Sequence, residues 1–179
     1  MPHLVVIYGA PLSGKSTLAR ELAAAFTDKT ALLSVDRLAG DAIVVPDEDV
    51  FSELEMAHTQ ARLLVANYLK NRYNVVLEGA FFYERGGELH RYEQEIDQIV
   101  ALMRNLARAP VLVRLSASEE TLRVRAKDQG RENEVATALR ISSEYKARYG
   151  RWLDIDTSKM SVPEAVAELR ERLEALDVT

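Results

Sequence analysis

Gly9-Ala10-Pro11-Leu12-Ser13-Gly14-Lys15-Ser16 sets two glycines, a lysine and a serine in the spacing G-x-x-x-x-G-K-[ST]. The glycines let the backbone curl until successive N–H groups point inward at an anion. The lysine then reaches the outer phosphates of a polyphosphate, and the serine hydroxyl is placed to ligate Mg²⁺. With this composition the pattern arises by chance in roughly one chain per thousand. It implies a nucleoside triphosphate as ligand, with Ala10, Pro11, Leu12 and Ser13 completing the loop between the glycines.

Two acids stand where apolar runs end. Asp36 follows Leu32-Leu33-Ser34-Val35 and precedes Arg37; Glu78 follows Asn74-Val75-Val76-Leu77. At the carboxyl edge of a sheet, Asp36 can accept a proton from an attacking hydroxyl or hold Mg²⁺ through water. Glu78, in the same layer, can orient metal-bound water or grip a substrate hydroxyl. Ser16, Asp36 and Glu78 are therefore the candidate metal contacts. The plainer alternatives are a helix cap or a solvated loop acid for Asp36 and a solvated strand-end acid for Glu78. Downstream, Arg123, Arg125, Lys127 and Arg131 gather within nine residues. Phosphoryl transfer needs cations on the equatorial oxygens of the moving group, which a mobile arginine-bearing lid supplies; a solvated helix face is the alternative. Phe81-Phe82-Tyr83 suits either the wall of an acceptor site, through Phe81 and Phe82, or plain core packing. Asp156-Thr157-Ser158 suits either a contact to the nucleotide base or a simple turn and cap. His3, His58 and His90 lack metal-ligand spacing and read as structural or exposed.

The elements that must position these residues alternate. Strands are expected at His3–Tyr8, Thr30–Val35, Asn74–Leu77, Pro110–Leu115 and Arg151–Ile155. The segments between them are helix-patterned, which signifies a parallel sheet covered on both faces. Apolar residues three and four apart predict helices from Thr17 to Phe26, Asp47 to Arg72 and Glu88 to Arg108. A last helix is announced by the capping box Ser161-Val162-Pro163-Glu164. Gly86-Gly87 and Lys127–Asn133 are the expected flexible places. In such a sheet ligands collect at the carboxyl ends of the strands, where Asp36 and Glu78 fall.

The bulk numbers bound the reading. A chain of 179 residues is most simply one domain, 1–179. Its 47% hydrophobic and 28% charged content is ordinary for a soluble protein, and no apolar run is long enough for a bilayer. No membrane contact is expected. The N-terminus runs straight into the loop with no leader pattern. Zero cysteines removes thiolate chemistry and agrees with a cytoplasmic setting. A net charge of −5 argues against a broad nucleic-acid surface. Oligomeric state is not legible.

With these pieces placed, nearly the whole chain resembles the small P-loop kinases that phosphorylate metabolites, antibiotics or toxin targets, such as gluconate kinase, chloramphenicol phosphotransferase and zeta toxin. The resemblance rests on Gly9–Thr17, Asp36, the Val75–Gly79 strand, the stretch Leu122–Arg131 and Ile155–Ser158. It implies a three-layer α/β/α P-loop NTPase fold with a five-stranded parallel sheet in the order 2-3-1-4-5, and a short arginine-bearing lid at about 120–135. It implies ATP and Mg²⁺, with Lys15 and Ser16 on phosphates and metal, Thr17 on the α-phosphate, Asp36 as base and Arg125 as the lid cation. Gln129 stands where relatives often repeat an arginine, so Arg131 or Arg123 would substitute, and Glu78 stands where many carry Asp. Adenylate kinase is similar in length and loop, but its Asp-Gly-Phe-Pro-Arg is replaced here by Glu78-Gly79-Ala80-Phe81-Phe82.

The expected activity is transfer of the γ-phosphoryl group of ATP to a hydroxyl of a small-molecule acceptor. A polynucleotide 5′-hydroxyl kinase is the alternative that Asp36-Arg37 would suit, and the acidity of the chain opposes it. A nucleotide-dependent ATPase or switch module without acceptor is a third reading, although the Asn-Lys-x-Asp and Asp-x-x-Gly patterns of GTPase switches are missing.

Overall fold

Runs of Val, Ile and Leu that are apolar on both alternating faces form strands only where both faces can be covered, and this chain covers them with helices. The computed structural model describes residues 1–40, 54–144 and 152–177. The strands are β1 (Leu4–Gly9), β2 (Thr30–Ser34), β3 (Asn74–Gly79), β4 (Phe82–Arg85), β5 (Glu88–Arg91), β6 (Val111–Ser116) and β7 (Trp152–Asp156). Five of them build one sheet in the order β2-β3-β1-β6-β7, and β4 and β5 pair separately. Every pairing in the large sheet is parallel. Counting that sheet's strands alone gives 2-3-1-4-5, the expected order. Residue 151 of the expected last strand and the 47–53 part of the expected long helix lie outside the described residues.

The helices are α1 (Lys15–Ala25), α2 (Val35–Gly40), α3 (Leu54–Lys70), α4 (Gln94–Met103), α5 (Glu119–Gln129), α6 (Val135–Glu144) and α7 (Val162–Asp177). Leu4, Val6, Tyr8, Val75 and Leu77 bury one sheet face under α2 to α6. Val5, Ile7, Val76, Val113 and Leu115 bury the other under Leu18 and Leu22 of α1 and Leu169 and Leu173 of α7. Each such side chain stabilises the fold by about 1.5–3 kcal/mol relative to exposure. The α7 capping box forms as expected: Ser161 N–H donates to Glu164 Oε2 at 2.8 Å and Glu164 N–H reaches back to Ser161 Oγ. Among the described residues no helix is long and apolar enough to cross a membrane.

Three local expectations are corrected. The segment from Glu88 begins as strand β5 of a hairpin, with helix α4 starting only at Gln94. Gly86 and Gly87 have φ of 58° and 80°, the doubly positive pair of a type I′ turn whose twist favours a hairpin over a helix. Val35, expected to end the second strand, instead begins the short α2, whose first turn carries Asp36. The Lys127–Asn133 segment is a helix end: Gly130 adopts φ 64° and Arg131 N–H donates to Ala126 O at 2.8 Å, which caps α5.

Candidate functional site

The site begins at the carboxyl end of β1, where strand must become helix in a few residues. Gly9 is forced by crowding, since a Cβ there would lie 2.9 Å from the Leu115 carbonyl oxygen and 2.7 Å from Ser13 Oγ. Gly14 precedes α1 with φ 94° and offers no capping side chain. The first-turn N–H groups of α1 are thus left without a side-chain cap at the positive end of the helix dipole, where an anion is favoured. The Ser13 hydroxyl is buried against Gly9 without a hydrogen-bond partner.

Above this loop opens a cleft of about 950 Å³. Lys15 is buried beside it, and its Nζ lies 3.4 Å from Asp36 Oδ2. Ser16 Oγ donates to Glu78 Oε2 at 3.2 Å, and Glu78 is buried. Each of the two strand-end acids foreseen from the sequence therefore meets a residue of the phosphate-binding motif, Asp36 at Lys15 and Glu78 at Ser16. Asp36 is fixed further by Ala80 N–H at 3.2 Å and by the Tyr83 hydroxyl at 3.1 Å, both donating to Oδ1. Burial, the neighbouring Asp36 charge and the hydrogen bond to it push the Tyr83 phenol far above its ordinary pKa. It is a hydroxyl donor at every working pH.

Pro11, Leu12, Thr17, Arg37, Arg125 and Arg131 also line the cleft. Arg125 reaches the loop rather than the acids: Nη1 donates to Leu12 O at 3.1 Å and Thr157 Oγ1 at 3.0 Å, and Nη2 to Thr157 O at 3.1 Å. Burial pushes its pKa down from the usual value, but a guanidinium stays charged. The Thr157 hydroxyl in turn donates to Ser13 O at 2.9 Å. Arg131 is drawn to Glu134 by two short hydrogen bonds.

Four expected site residues stand elsewhere. Arg123 is on another face of α5 from Arg125, paired with Glu119, because two residues of helix turn a side chain by about 200°. Asp156 pairs with Lys159 at 3.0 Å and accepts Ser158 N–H, the turn-and-cap arrangement. Phe81 and Phe82 are fully buried in the core and do not line the cleft, since apolar rings gain more from burial than from a wet rim. Arg20 and Gln129 line the cleft and Tyr83 holds Asp36, roles the sequence reading did not assign. For Tyr83 the available signal was the Gly86-Gly87 hairpin turn, which fixes its strand.

Behind Tyr83, His58 is 1% exposed, stacked on Tyr92 at 5.0 Å with neither ring nitrogen bonded. Burial lowers its pKa from 6.5 to about 4. The unfolded chain therefore binds more protons between these values, and stability present above pH 6.5 falls as pH drops toward 4. Urea titrations across that window should lose on the order of 3 kcal/mol through this one group. His58→Phe should flatten the dependence.

Mg²⁺ commonly keeps several waters and takes one or two carboxylates together with substrate phosphates. Ser16, Asp36 and Glu78 are hard oxygen donors of that kind, and among the described residues no cluster of three or more His, Cys, Asp and Glu makes a self-contained metal cage. The donor set fits a metal brought in with a polyphosphate.

Residues 4–151 match the family model described as an AAA domain. Solved structures of similar fold include a kinase candidate from Chloroflexus aurantiacus J-10-fl, with 20% identity, 97% of each chain covered and a TM-score of 0.69. A gluconokinase from Sinorhizobium meliloti 1021 has 20% identity, 99% of this chain and 97% of that chain covered, and a TM-score of 0.61. A sugar kinase from Janibacter sp. HTCC2649 has 14% identity, 97% and 95% covered, and a TM-score of 0.62. No curated protein sequence matches. At these identities the structural likeness establishes the fold alone, the one this chain shares with those structures.

Proposed function

The chain belongs to the AAA domain family, and on that premise we propose that it is an ATP- and Mg²⁺-dependent phosphotransferase that phosphorylates a hydroxyl of a small-molecule acceptor. The observation that carries this is the pairing of Lys15 with Asp36 across the mouth of the loop cleft. A cation for the phosphates and a carboxylate for the acceptor stand within one ion-pair distance of each other. The gluconokinase and sugar kinase of the same fold support a small polyhydroxylated acceptor.

Lys15 and the N–H groups at the start of α1 hold the β- and γ-phosphates, and Thr17 faces the α-phosphate. Ser16 and Glu78, with Asp36 beside them in the cleft, would hold the metal, and Mg²⁺ when bound would neutralise charge on the phosphate oxygens. Asp36 takes the proton of the acceptor hydroxyl as its oxygen attacks the γ-phosphorus. Arg131 and Arg37, at the cleft edge, meet the transferred group and the acceptor. Arg125 and Thr157 brace the loop through the Leu12 and Ser13 carbonyls.

Incubation of the protein with γ-labelled ATP, Mg²⁺ and sets of sugars, sugar acids, nucleosides and single-stranded oligonucleotides tests this. Label should move to one class of small hydroxyl compound with release of one ADP per product. Label moving only to oligonucleotide 5′ ends, or none moving while ATP hydrolysis survives Asp36→Asn, overturns it.

A further inference from the structure

Asp36 carries more ordered hydrogen bonding than a proton acceptor at the rim of a cleft requires. Ala80 N–H and the Tyr83 hydroxyl both end on Oδ1, and Lys15 faces Oδ2. Two donors on one oxygen fix the plane of the carboxylate and leave the other oxygen turned to the phosphate loop. We propose that Tyr83 is a positioning residue for the transfer step, selecting Oδ2 as the oxygen that receives the acceptor's proton. This rests on the reading of Asp36 as the base.

The surroundings of Tyr83 suit that duty. Its ring meets Tyr92 edge-on at 5.6 Å and His58 at 6.3 Å, so the hydroxyl is aimed by packing. Phe81, at φ 55°, makes the sharp turn that brings β4 back beside the end of β3, and its carbonyl accepts Tyr92 N–H at 2.9 Å. Glu84, which follows Tyr83, is held from α6: Thr137 Oγ1 donates to it at 2.7 Å and Arg140 Nη1 at 3.2 Å. Arg140 also reaches the Gly87 carbonyl at 2.7 Å, and Arg91 pairs with Glu144. Successive residues of one short strand, Tyr83 and Glu84, thus face the base and α6 on opposite sides.

In the step itself the acceptor oxygen forms its bond to the γ-phosphorus, its proton passes to Asp36 Oδ2, and the bond to the β,γ-bridging oxygen breaks. The electron pair of that bond leaves with ADP. A water molecule can stand for the acceptor, giving inorganic phosphate, so the proposal is testable with ATP alone.

Phosphate release from ATP and Mg²⁺ is measured for wild type, Tyr83→Phe, Asp36→Asn and the double variant, with thermal midpoints and ATP affinity as controls. Tyr83→Phe removes one oxygen and keeps the ring. Its kcat should fall about tenfold, the loss of a hydrogen bond to a charged group, with KM for ATP within about twofold of wild type. In the Asp36→Asn background the same change should cost nothing further, because its route runs through the carboxylate. An equal loss in both backgrounds, or a wild-type kcat in Tyr83→Phe while Asp36→Asn is impaired, overturns the positioning role alone. Turnover indifferent to Asp36→Asn overturns the base assignment beneath it.

Discussion

Lys15→Ala should weaken ATP binding by at least about 100-fold and lower turnover by about 1,000-fold. The size follows from where the ammonium sits. At 7% exposure it is screened little by solvent, and it faces Asp36 across the cleft. Its removal takes away the only lysine lining that cleft among the described residues and leaves the carboxylate facing the incoming phosphates unopposed. Calorimetric titration with ATP and Mg²⁺ measures the first effect. A thermal-shift series gives a second reading: at ligand concentrations near 100 times Kd, wild type should gain about 2.7 kcal/mol and the variant almost nothing. Equal affinity in both proteins would remove the phosphate loop from the account.

Asp36→Asn should separate chemistry from binding. The amide is nearly isosteric, and its carbonyl oxygen can still accept from Ala80 and Tyr83 at the Oδ1 position. The group turned to Lys15 is then an NH₂, which cannot take a proton. Phosphoryl transfer should fall by about 100- to 10,000-fold, the range for loss of a general base. ATP affinity should stay within a few-fold of wild type, since the contacts of Lys15 and the α1 N-terminus remain. Single-turnover transfer from labelled ATP makes the comparison without interference from product release. A loss of less than about threefold would mean the acceptor's proton leaves by another route.

What the sequence disclosed divides by range. The phosphate loop was legible because eight contiguous residues fix their own backbone, and the strand-end acids because alternating apolar runs imply a parallel sheet and its carboxyl edge. Asp36, Glu78 and Lys15 then had to converge, and they do. The Tyr83–Asp36 bond spans 47 residues and depends on a turn at Phe81 that no local pattern announces. Leu89, Tyr92 and Ile96 repeat at helical spacing by coincidence, and the hairpin around Gly86-Gly87 hid beneath them. Only the family resemblance separated Arg125 from Arg123; in the fold, the burial of Leu122 and Ala126 on α5 decides which guanidinium meets the loop.

Leu12 sits at φ 65°, a conformation that costs a non-glycine residue roughly 1–2 kcal/mol. Arg125 secures its carbonyl and Thr157 secures that of Ser13, so the strained bend is sustained from two remote places in the chain. A loop held in one shape before a guest arrives loses less affinity to ordering. Nucleotide association should accordingly proceed in one kinetic phase whose rate rises linearly with concentration.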